Sequence, residues 1–337
     1  FVNCLACFPR PSSADGQQQP QQQLLSGSVD MTAKISVLPS NFARSRATDD
    51  DNDDDVDAAD GEELEDSSCD SSRVHSSVIR GCAYSATMQL YAAGSWDRSV
   101  TLVTPSGAVQ RRPRGHGKRI NAVRFSPAGD KLVSAAMDQT LRVWDTASGE
   151  CVATLRGQNA NVLACDVSHD GRYIASGGSD GSVMFWELET GATLGRFKAH
   201  AGGWVCTIRF APHSRLLLTG STDGVAKIWR TRDAAQLATL RGHTQPILWA
   251  HFTSDGRFIV TAAEDRSLRV WDCAHGFCCV AVLVGHTHEV TACDLLDDER
   301  TIVSVSSDKT MRFYDLAAID EAVASAKASG SGSSEQQ

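Results

Sequence analysis

Histidine, serine or threonine, and aspartate recur together at nearly constant spacing in four segments of this chain. His116, Ser134 and Asp138 form one such set. These are the residue types of a hydrolase triad, in which the imidazole takes the hydroxyl proton. Catalysis requires one set in a pocket with an oxyanion hole. Here the set recurs and is followed by an aromatic residue such as Trp144. The recurrence predicts a structural role, and we expect no enzyme activity.

The eleven cysteines give no metal-ligand pattern. Cys4 and Cys7 form one CxxC without a second pair or nearby histidines, and Cys278 is adjacent to Cys279. Neither arrangement suits a zinc cage or an ordinary disulfide. There is also no glycine-rich phosphate loop and no single nucleophile with a base. We therefore expect no cofactor, no metal and no small-molecule substrate.

The histidine sets belong to a longer repeat with a period of 41 to 43 residues. Its six starting positions are His75, His116, Gln158, His200, His243 and His286. Three cysteines recur at one position within it, namely Cys82, Cys165 and Cys293. We expect each of them to be a small core residue on an inward-facing strand, in a protein from a reducing compartment.

Each repeat predicts four β-strands, as the segment after His243 illustrates. Ile247–Phe252 alternates apolar and polar residues, and a Thr-Ser-Asp-Gly turn follows it. Phe258–Ala262 is the second predicted strand, Ser267–Asp272 the third and Cys279–Val284 the outer one. The sequence therefore predicts an all-β fold with one four-stranded unit per repeat.

The repeats resemble those of the WD-repeat β-propeller family, which run from glycine-histidine to tryptophan-aspartate. The clearest examples are Gly115-His116 to Trp144-Asp145, Gly242-His243 to Trp271-Asp272, and Gly285-His286 to Tyr314-Asp315. The resemblance covers about residues 75–317 and implies six recognisable four-stranded blades.

The family's repeat is held by a network of histidine, hydroxyl, aspartate and tryptophan side chains, and the resemblance assigns that network here. Three repeats supply all members: His116, Ser134, Asp138 and Trp144; His200, Thr219, Asp223 and Trp229; His243, Thr261, Asp265 and Trp271. The third repeat has Gln158 with Ser176, Asp180 and Trp186, and the last has His286, Ser304, Asp308 and Tyr314. The first repeat has Ala93 and Val103 in place of the hydroxyl and the tryptophan, so we expect no network there.

The flanking segments differ in composition from the repeats. Residues 1–74 contain the glutamine-rich run Gln17–Gln23 and the acidic block Asp49–Asp70, which predict a disordered segment. Residues 318–337 are expected to be a short helix or a disordered tail, with Leu316–Ala328 as the helical candidate. The last repeat lacks an outer strand, and Lys34–Leu38 is a candidate to complete it. The rival expectation is a seventh blade missing from a fragment.

The net charge and the hydropathy of the chain limit the classes of partner that it can bind. The net charge is −9, but Asp49–Asp70 has thirteen acidic and no basic residues, so the remainder is slightly positive without a basic stripe. This argues against a nucleic-acid or chromatin reader. No apolar run is long enough for a membrane span. We expect an intracellular protein, in the cytoplasm or nucleus, that does not bind membranes.

The resemblance implies that partners bind the top face of the propeller, around the entry to its central channel. Carried over position by position, the predicted partner-binding residues include Trp96, Trp204, Arg80, Arg119, Met137, Leu163, Leu248, Glu264 and Glu289. Such residues favour a short peptide or helix with an acidic residue and an apolar anchor. The sequence therefore predicts a non-catalytic scaffold or adaptor within a larger complex. A substrate-receptor subunit of a ubiquitin ligase, or of another multiprotein complex, is the alternative.

Overall fold

A computed structural model describes residues 2–9, 22–28, 33–37, 74–296 and 300–330. Within these residues the chain is nearly all β, with twenty-six strands and one helix. The six repeats form six antiparallel blades arranged as a β-propeller. This confirms the fold class expected from the repeat.

The first five repeats each form a four-stranded sheet in which consecutive strands are neighbours. The first contains β4 (Ile79–Ser85), β5 (Leu90–Ser95), β6 (Val100–Val103) and β7 (Val109–Arg111). The second contains β8 (Ile120–Phe125), β9 (Lys131–Ala136), β10 (Thr140–Asp145) and β11 (Cys151–Arg156). The third contains β12 (Val162–Val167), β13 (Tyr173–Gly178), β14 (Ser182–Glu187) and β15 (Thr193–Lys198). The fourth contains β16 (Val205–Phe210), β17 (Leu216–Ser221), β18 (Val225–Arg230) and β19 (Gln236–Arg241). The fifth contains β20 (Ile247–Phe252), β21 (Phe258–Ala263), β22 (Leu268–Asp272) and β23 (Cys278–Leu283).

The last repeat forms three strands followed by a helix. Its strands are β24 (Val290–Leu295), β25 (Thr301–Ser306) and β26 (Met311–Asp315), and α1 (Leu316–Gly330) follows directly. Leu316 is buried, and Asp320 accepts two hydrogen bonds from the Arg257 guanidinium at 2.9 and 2.6 Å. The helix is therefore docked at its start against the fifth and sixth blades.

The aspartate turn between the second and third strands has the same backbone in all six blades. The residue after each aspartate has a positive φ, from 68° at Gln139 to 78° at Gly181. The aspartate side chain accepts the N–H two residues later, as Asp138 does from Thr140 at 3.1 Å. A side-chain acceptor that fixes this turn explains why it tolerates a left-handed residue other than glycine.

The N-terminal segment contains a further three-stranded sheet, which corrects the expectation of disorder for these residues. It consists of β1 (Val2–Pro9), β2 (Gln22–Ser28) and β3 (Ala33–Val37). β1 contacts β24 and β4, the inner strands of the last and first blades, just as other inner strands contact each other. The sheet thus lies in the ring between these two blades. The acidic block Asp49–Asp70 lies outside the described residues.

The candidate strand Lys34–Leu38 does not complete the last blade. Ala33–Val37 pairs with β2 instead, antiparallel and in regular register. Strand propensity alone could not decide whether this segment pairs with the last blade or with β2. Either pairing would use the same short run of alternating residues. The described part of the last blade remains three-stranded.

The core consists of apolar side chains packed between neighbouring blades. One cluster joins Val143 of the second blade to Cys165 and Trp186 of the third. Cys165 and Cys293 are buried core residues, as the repeat predicts.

Cys82 is buried too, but it forms a disulfide with Cys4 of β1, whose Cα lies 5.8 Å from its own. Spacing along the chain did not predict this pair, because ring closure brings together residues 78 positions apart.

Candidate functional site

The histidine networks fix the turns that form one face of the propeller. In the second blade, the His116 ring lies 2.9 Å from Asp138 Oδ2 and 2.7 Å from Ser134 Oγ. The Trp144 indole N–H donates to the same hydroxyl at 2.8 Å. This geometry suits a ring that donates from Nδ1 to the carboxylate and accepts the serine proton at Nε2. The chain of bonds ties the aspartate turn to the third strand.

The fourth and fifth blades contain the same bonds with threonine in place of serine. His200 and His243 lie 2.9 and 2.8 Å from the hydroxyls of Thr219 and Thr261. Burial lowers the pKa of both rings, although their aspartates, Asp223 and Asp265, raise it. The rings are therefore neutral links of the network near neutral pH.

Glutamine substitutes for histidine in the third blade without breaking the network. Ser176 Oγ donates to Gln158 Oε1 at 3.1 Å, and Trp186 Nε1 donates to Ser176 Oγ at 3.1 Å. Gln158 Nε2 donates to Ser182 Oγ, which in turn donates to Asp180. A hydroxyl thus relays the contact that histidine makes directly in other blades.

The first blade retains half of the network, which corrects the expectation that none forms. His75 Nδ1 lies 2.9 Å from Asp97 Oδ2, and its Nε2 lies 3.1 Å from the carbonyl oxygen of Ala93. A backbone oxygen thus occupies the place of the missing hydroxyl. In the last blade, His286 contacts Asp308 at 2.8 Å and Ser304 at 2.7 Å.

The predicted top-face residues are brought together by one backbone hydrogen bond per blade. In each blade the residue before the turn aspartate donates its N–H to the carbonyl of the residue at the entry to the inner strand. The pairs are Trp96 with Val78, Met137 with Arg119, Ser179 with Asn161, Thr222 with Trp204, Glu264 with Pro246, and Ser307 with Glu289. The top face is defined here by these twelve residues and the inner-strand residues next to them.

A β-bulge in every inner strand places another predicted residue at the channel entry. The register shifts between Ile79 and Gly81 leave Arg80 outside the ladder, and the corresponding shifts do the same for Leu163 and Leu248. A bulge re-aims its side chain away from the sheet ladder. The register between β1 and β2 also shifts, between Val2 and Cys4, so the N-terminal sheet contains a corresponding bulge.

Trp96 is half-buried, with the Arg119 guanidinium 4.4 Å from its ring centroid. The sequence offers no structural role for this indole, but the structure does, since the cation–π contact joins the first and second blades. Arg119 covers the indole and is itself exposed.

Trp204 is the most exposed aromatic residue of the top face, at 56%. Its backbone is held twice by Thr222, whose N–H donates to Trp204 O at 3.1 Å and whose hydroxyl accepts from Trp204 N at 2.9 Å. A rigid backbone with an uncovered indole is the arrangement that binding hot spots use.

Glu264 and Glu289 form an acidic part of the top face on the fifth and sixth blades. Burial and the neighbouring Glu289 raise the pKa of Glu264. Glu289 also accepts a hydrogen bond from Ser307 Oγ at 2.7 Å. The top face is therefore polarised in charge: it is acidic on the fifth and sixth blades and carries the basic Arg119 on the second blade.

Met137, Leu163, Leu248 and Arg80 are half-buried around the channel entry. Burial lowers the pKa of the Arg80 guanidinium. Sequence reasoning missed the residues just below them, among them Thr207, Arg209 and Trp249, which line the channel. The sequence signal that could have found them is a polar residue at an inner-strand position where the repeat predicts a buried side chain.

Among residues 2–9, 22–28, 33–37, 74–296 and 300–330, no group of three metal-ligating side chains could hold an ion. Within the same ranges no helix is long and apolar enough to cross a membrane.

Comparison with known proteins finds the same architecture. A family model described as the first β-propeller of IFT122 matches residues 119–331. A model described as WD domain, G-beta repeat, matches residues 68–103.

Individual relatives share about a third of their aligned residues with this chain. Pre-mRNA-processing factor 19 homolog 2 of Arabidopsis thaliana is 32% identical over 54% of the chain and 35% of its own length. Nuclear distribution protein nudF of Aspergillus niger is 28% identical over 56% of the chain and 47% of its own length. Nuclear distribution protein PAC1 of Arthroderma benhamiae is 31% identical over 57% and 49%. The chain thus spans half or less of the length of these relatives.

Proposed function

Because the chain belongs to the WD-repeat β-propeller family, we propose that it is a non-catalytic scaffold that docks a peptide or protein on its top face. The observation that carries this proposal is Trp204, an indole 56% exposed on a backbone fixed by Thr222. Exposing a rigid aromatic side chain to water has no benefit for folding, whereas a partner that buries it gains apolar contact area.

The polarised charge of the top face supports a specific partner segment over general adhesion. Arg119 and Arg80 favour an acidic group on one part of the face, and Glu264 and Glu289 favour a basic group on another. Complementary charges of this kind select orientation and partner more than they add affinity. The partner is thus a segment with an apolar anchor and charged residues.

Membership of a larger complex is the context we propose for this binding. The curated relatives are named for pre-mRNA processing and for nuclear distribution, which supports a place in the cytoplasm or nucleus. A substrate-receptor subunit of a ubiquitin ligase is a special case of the same scaffold role. A nucleic-acid reader has less support, because the top face carries acidic as well as basic residues.

The test is affinity capture and proximity labelling in native cells with Trp204→Ala. Leu194→Ala is the matched control, because Leu194 is 53% exposed on the outer strand β15 and not on the top face. We expect Trp204→Ala to lose specific partners while Leu194→Ala retains them, with both variants melting like the wild type. Retention of every partner by Trp204→Ala would contradict the top-face proposal.

A further inference from the structure

A small cavity lies inside the ring directly beneath the top face. Its volume is about 40 Å³, and Arg80, Asn121, Cys206, Thr207, Arg209 and Trp249 are among the residues around it. This is room for roughly three water-sized groups, since one water needs about 10–15 Å³ by this measure. The cavity suits a single functional group and is too small for a whole ligand.

Two side-chain donors beside this cavity have no acceptor in the described part of the chain. They are the hydroxyl of Thr207, a residue only 2% exposed, and the indole Nε1 of Trp249. A buried donor without an acceptor is unfavourable, so native proteins rarely leave one unmatched. Two of them at one cavity indicate that an acceptor belongs there.

The same cavity is electropositive. Arg209 is 6% exposed, and its guanidinium lies 4.8 Å from the Trp249 ring centroid. It donates to the carbonyl oxygen of Ile208 at 2.8 Å, and within the described residues it forms no ion pair. A buried cation without a counter-ion is costly, which an anion in the cavity would relieve.

Glu264 and Asp223 lie close enough to act on the Cys206 thiol, but neither forms an ion pair with Arg209 within the described residues. Arg124 lies 5.6 Å from the same indole ring and is paired with Asp166 at 3.5 Å. Burial raises the pKa of Asp166 to about 6, although Arg124 lowers it. Burial also raises the pKa of Cys206 to about 11, so its thiol adds no negative charge.

We propose that this cavity receives the carboxylate of a glutamate side chain that a docked partner inserts from the top face. One carboxylate oxygen accepts from Thr207 and Trp249, and its charge is matched by the buried guanidinium of Arg209. Charge-assisted hydrogen bonds are stronger than neutral ones, and they strengthen further where water is excluded. The inference rests on the proposed scaffold function and names the chemistry of its partner.

The test uses synthetic peptides and the full chain. The Trp249 indole N–H is assigned in an NMR spectrum by Trp249→Phe, and its shift is followed with acetyl-Gly-Glu-Gly-amide and acetyl-Gly-Gln-Gly-amide. We expect saturable binding of the glutamate peptide and at least about tenfold weaker binding of the glutamine peptide, since the loss of one charge-assisted bond has that effect.

Variants connect the binding to the cavity. Thr207→Val keeps the side-chain shape and removes only the hydroxyl, and Arg209→Gln removes the charge. Both should weaken the glutamate peptide by about tenfold. Arg241→Gln, at an exposed outer-strand arginine, should not change it. Equal binding of both peptides, or tighter binding of inorganic phosphate than of the glutamate peptide, would overturn the assignment.

The outcome is separable from that of the scaffold proposal. Loss of cellular partners with Trp204→Ala but not with Thr207→Val, together with no glutamate selectivity, refutes the carboxylate site and leaves the top face as the docking surface. Glutamate selectivity in the cavity with partners retained by Trp204→Ala supports the site and refutes the role of Trp204.

Discussion

The first and second blades share the histidine and the aspartate of the network but differ in its other two members. His116 shares a hydroxyl with Trp144 through Ser134, whereas His75 meets the backbone carbonyl of Ala93. In the second blade every ring nitrogen has a partner of the right kind when the ring is neutral. In the first blade both nitrogens face oxygen atoms, and a neutral ring can donate to only one of them.

This difference shows which part of the repeat is indispensable for the turn. Asp97 accepts from Ser76 N and Ser99 N in the first blade, as Asp138 does from Gly117 N and Thr140 N in the second. The aspartate turn therefore forms with or without the tryptophan. The hydroxyl and the indole add a link between the turn and the third strand.

The largest expected effect comes from breaking the complete network at its centre. Ser134→Ala removes both the proton donor to His116 and the acceptor of the Trp144 indole, and both partners are buried. We expect a loss of about 2 kcal/mol in the free energy of unfolding, because two buried polar groups lose their partners. Urea unfolding of wild type and variant measures this.

Lys118→Ala is the control for this substitution, since Lys118 is an exposed residue of the same blade. Its cost should stay below about 0.5 kcal/mol, as is usual for surface positions. A comparable loss for both variants would show that the network contributes nothing specific.

Most of the propeller could be predicted from the repeat, because its period, turn residues and alternating strands all favour the same blade. The predicted strand Ile247–Phe252 is β20 without any shift. The N-terminal sheet could not be predicted, because β1 is stabilised by contacts with β24 and β4 that no local pattern encodes. The Cys4–Cys82 pair depends on the same long-range closure.

A second expected effect is acid sensitivity that differs between the two kinds of histidine. Burial lowers the pKa of His75 and His243 below 6.5 in the fold. As pH falls through 6.5, the unfolded chain binds more protons than the fold, so stability is complete above this pH and declines below it. Asp166 opposes this, because its pKa is raised to about 6 and its contribution is lost as pH rises.

Glutamine substitutions distinguish the contributions of His75 and His243 to this acid sensitivity. Gln158 shows that glutamine can replace histidine in the network. His243→Gln should reduce the acid-dependent loss of stability more than His75→Gln, because protonating His75 lets it donate to both Asp97 and Ala93. Urea unfolding at several values between about pH 5 and pH 7.5 tests this order. Equal reductions would mean that the carbonyl of Ala93 does not favour the charged ring.

The sequence predicted the positions of the proposed binding face, but not how exposed each of its side chains is. The resemblance named Trp96 and Trp204 alike, but the structure covers one with Arg119 and leaves the other exposed. Which indole is covered depends on the neighbouring blade, and so does the cavity around Arg209 and Thr207. The cavity is lined by residues of several blades, which are far apart in the sequence.

The smallest expected effect comes from supplying the first blade with its missing hydroxyl. Ala93→Ser places a hydroxyl beside His75, but Val103 offers no indole N–H to bind it, and His75 Nε2 already contacts the Ala93 carbonyl. We expect a change of less than about 1 kcal/mol in the free energy of unfolding.

Ala92→Ser is the matched control, because Ala92 is packed between the first and second blades with apolar neighbours. An unmatched hydroxyl there should cost about 1–3 kcal/mol. Ala93→Ser could instead stabilise the chain by as much as Ser134→Ala destabilises it. The hydroxyl would then account for the whole stabilisation by the network, and the indole hydrogen bond of the tryptophan would add nothing.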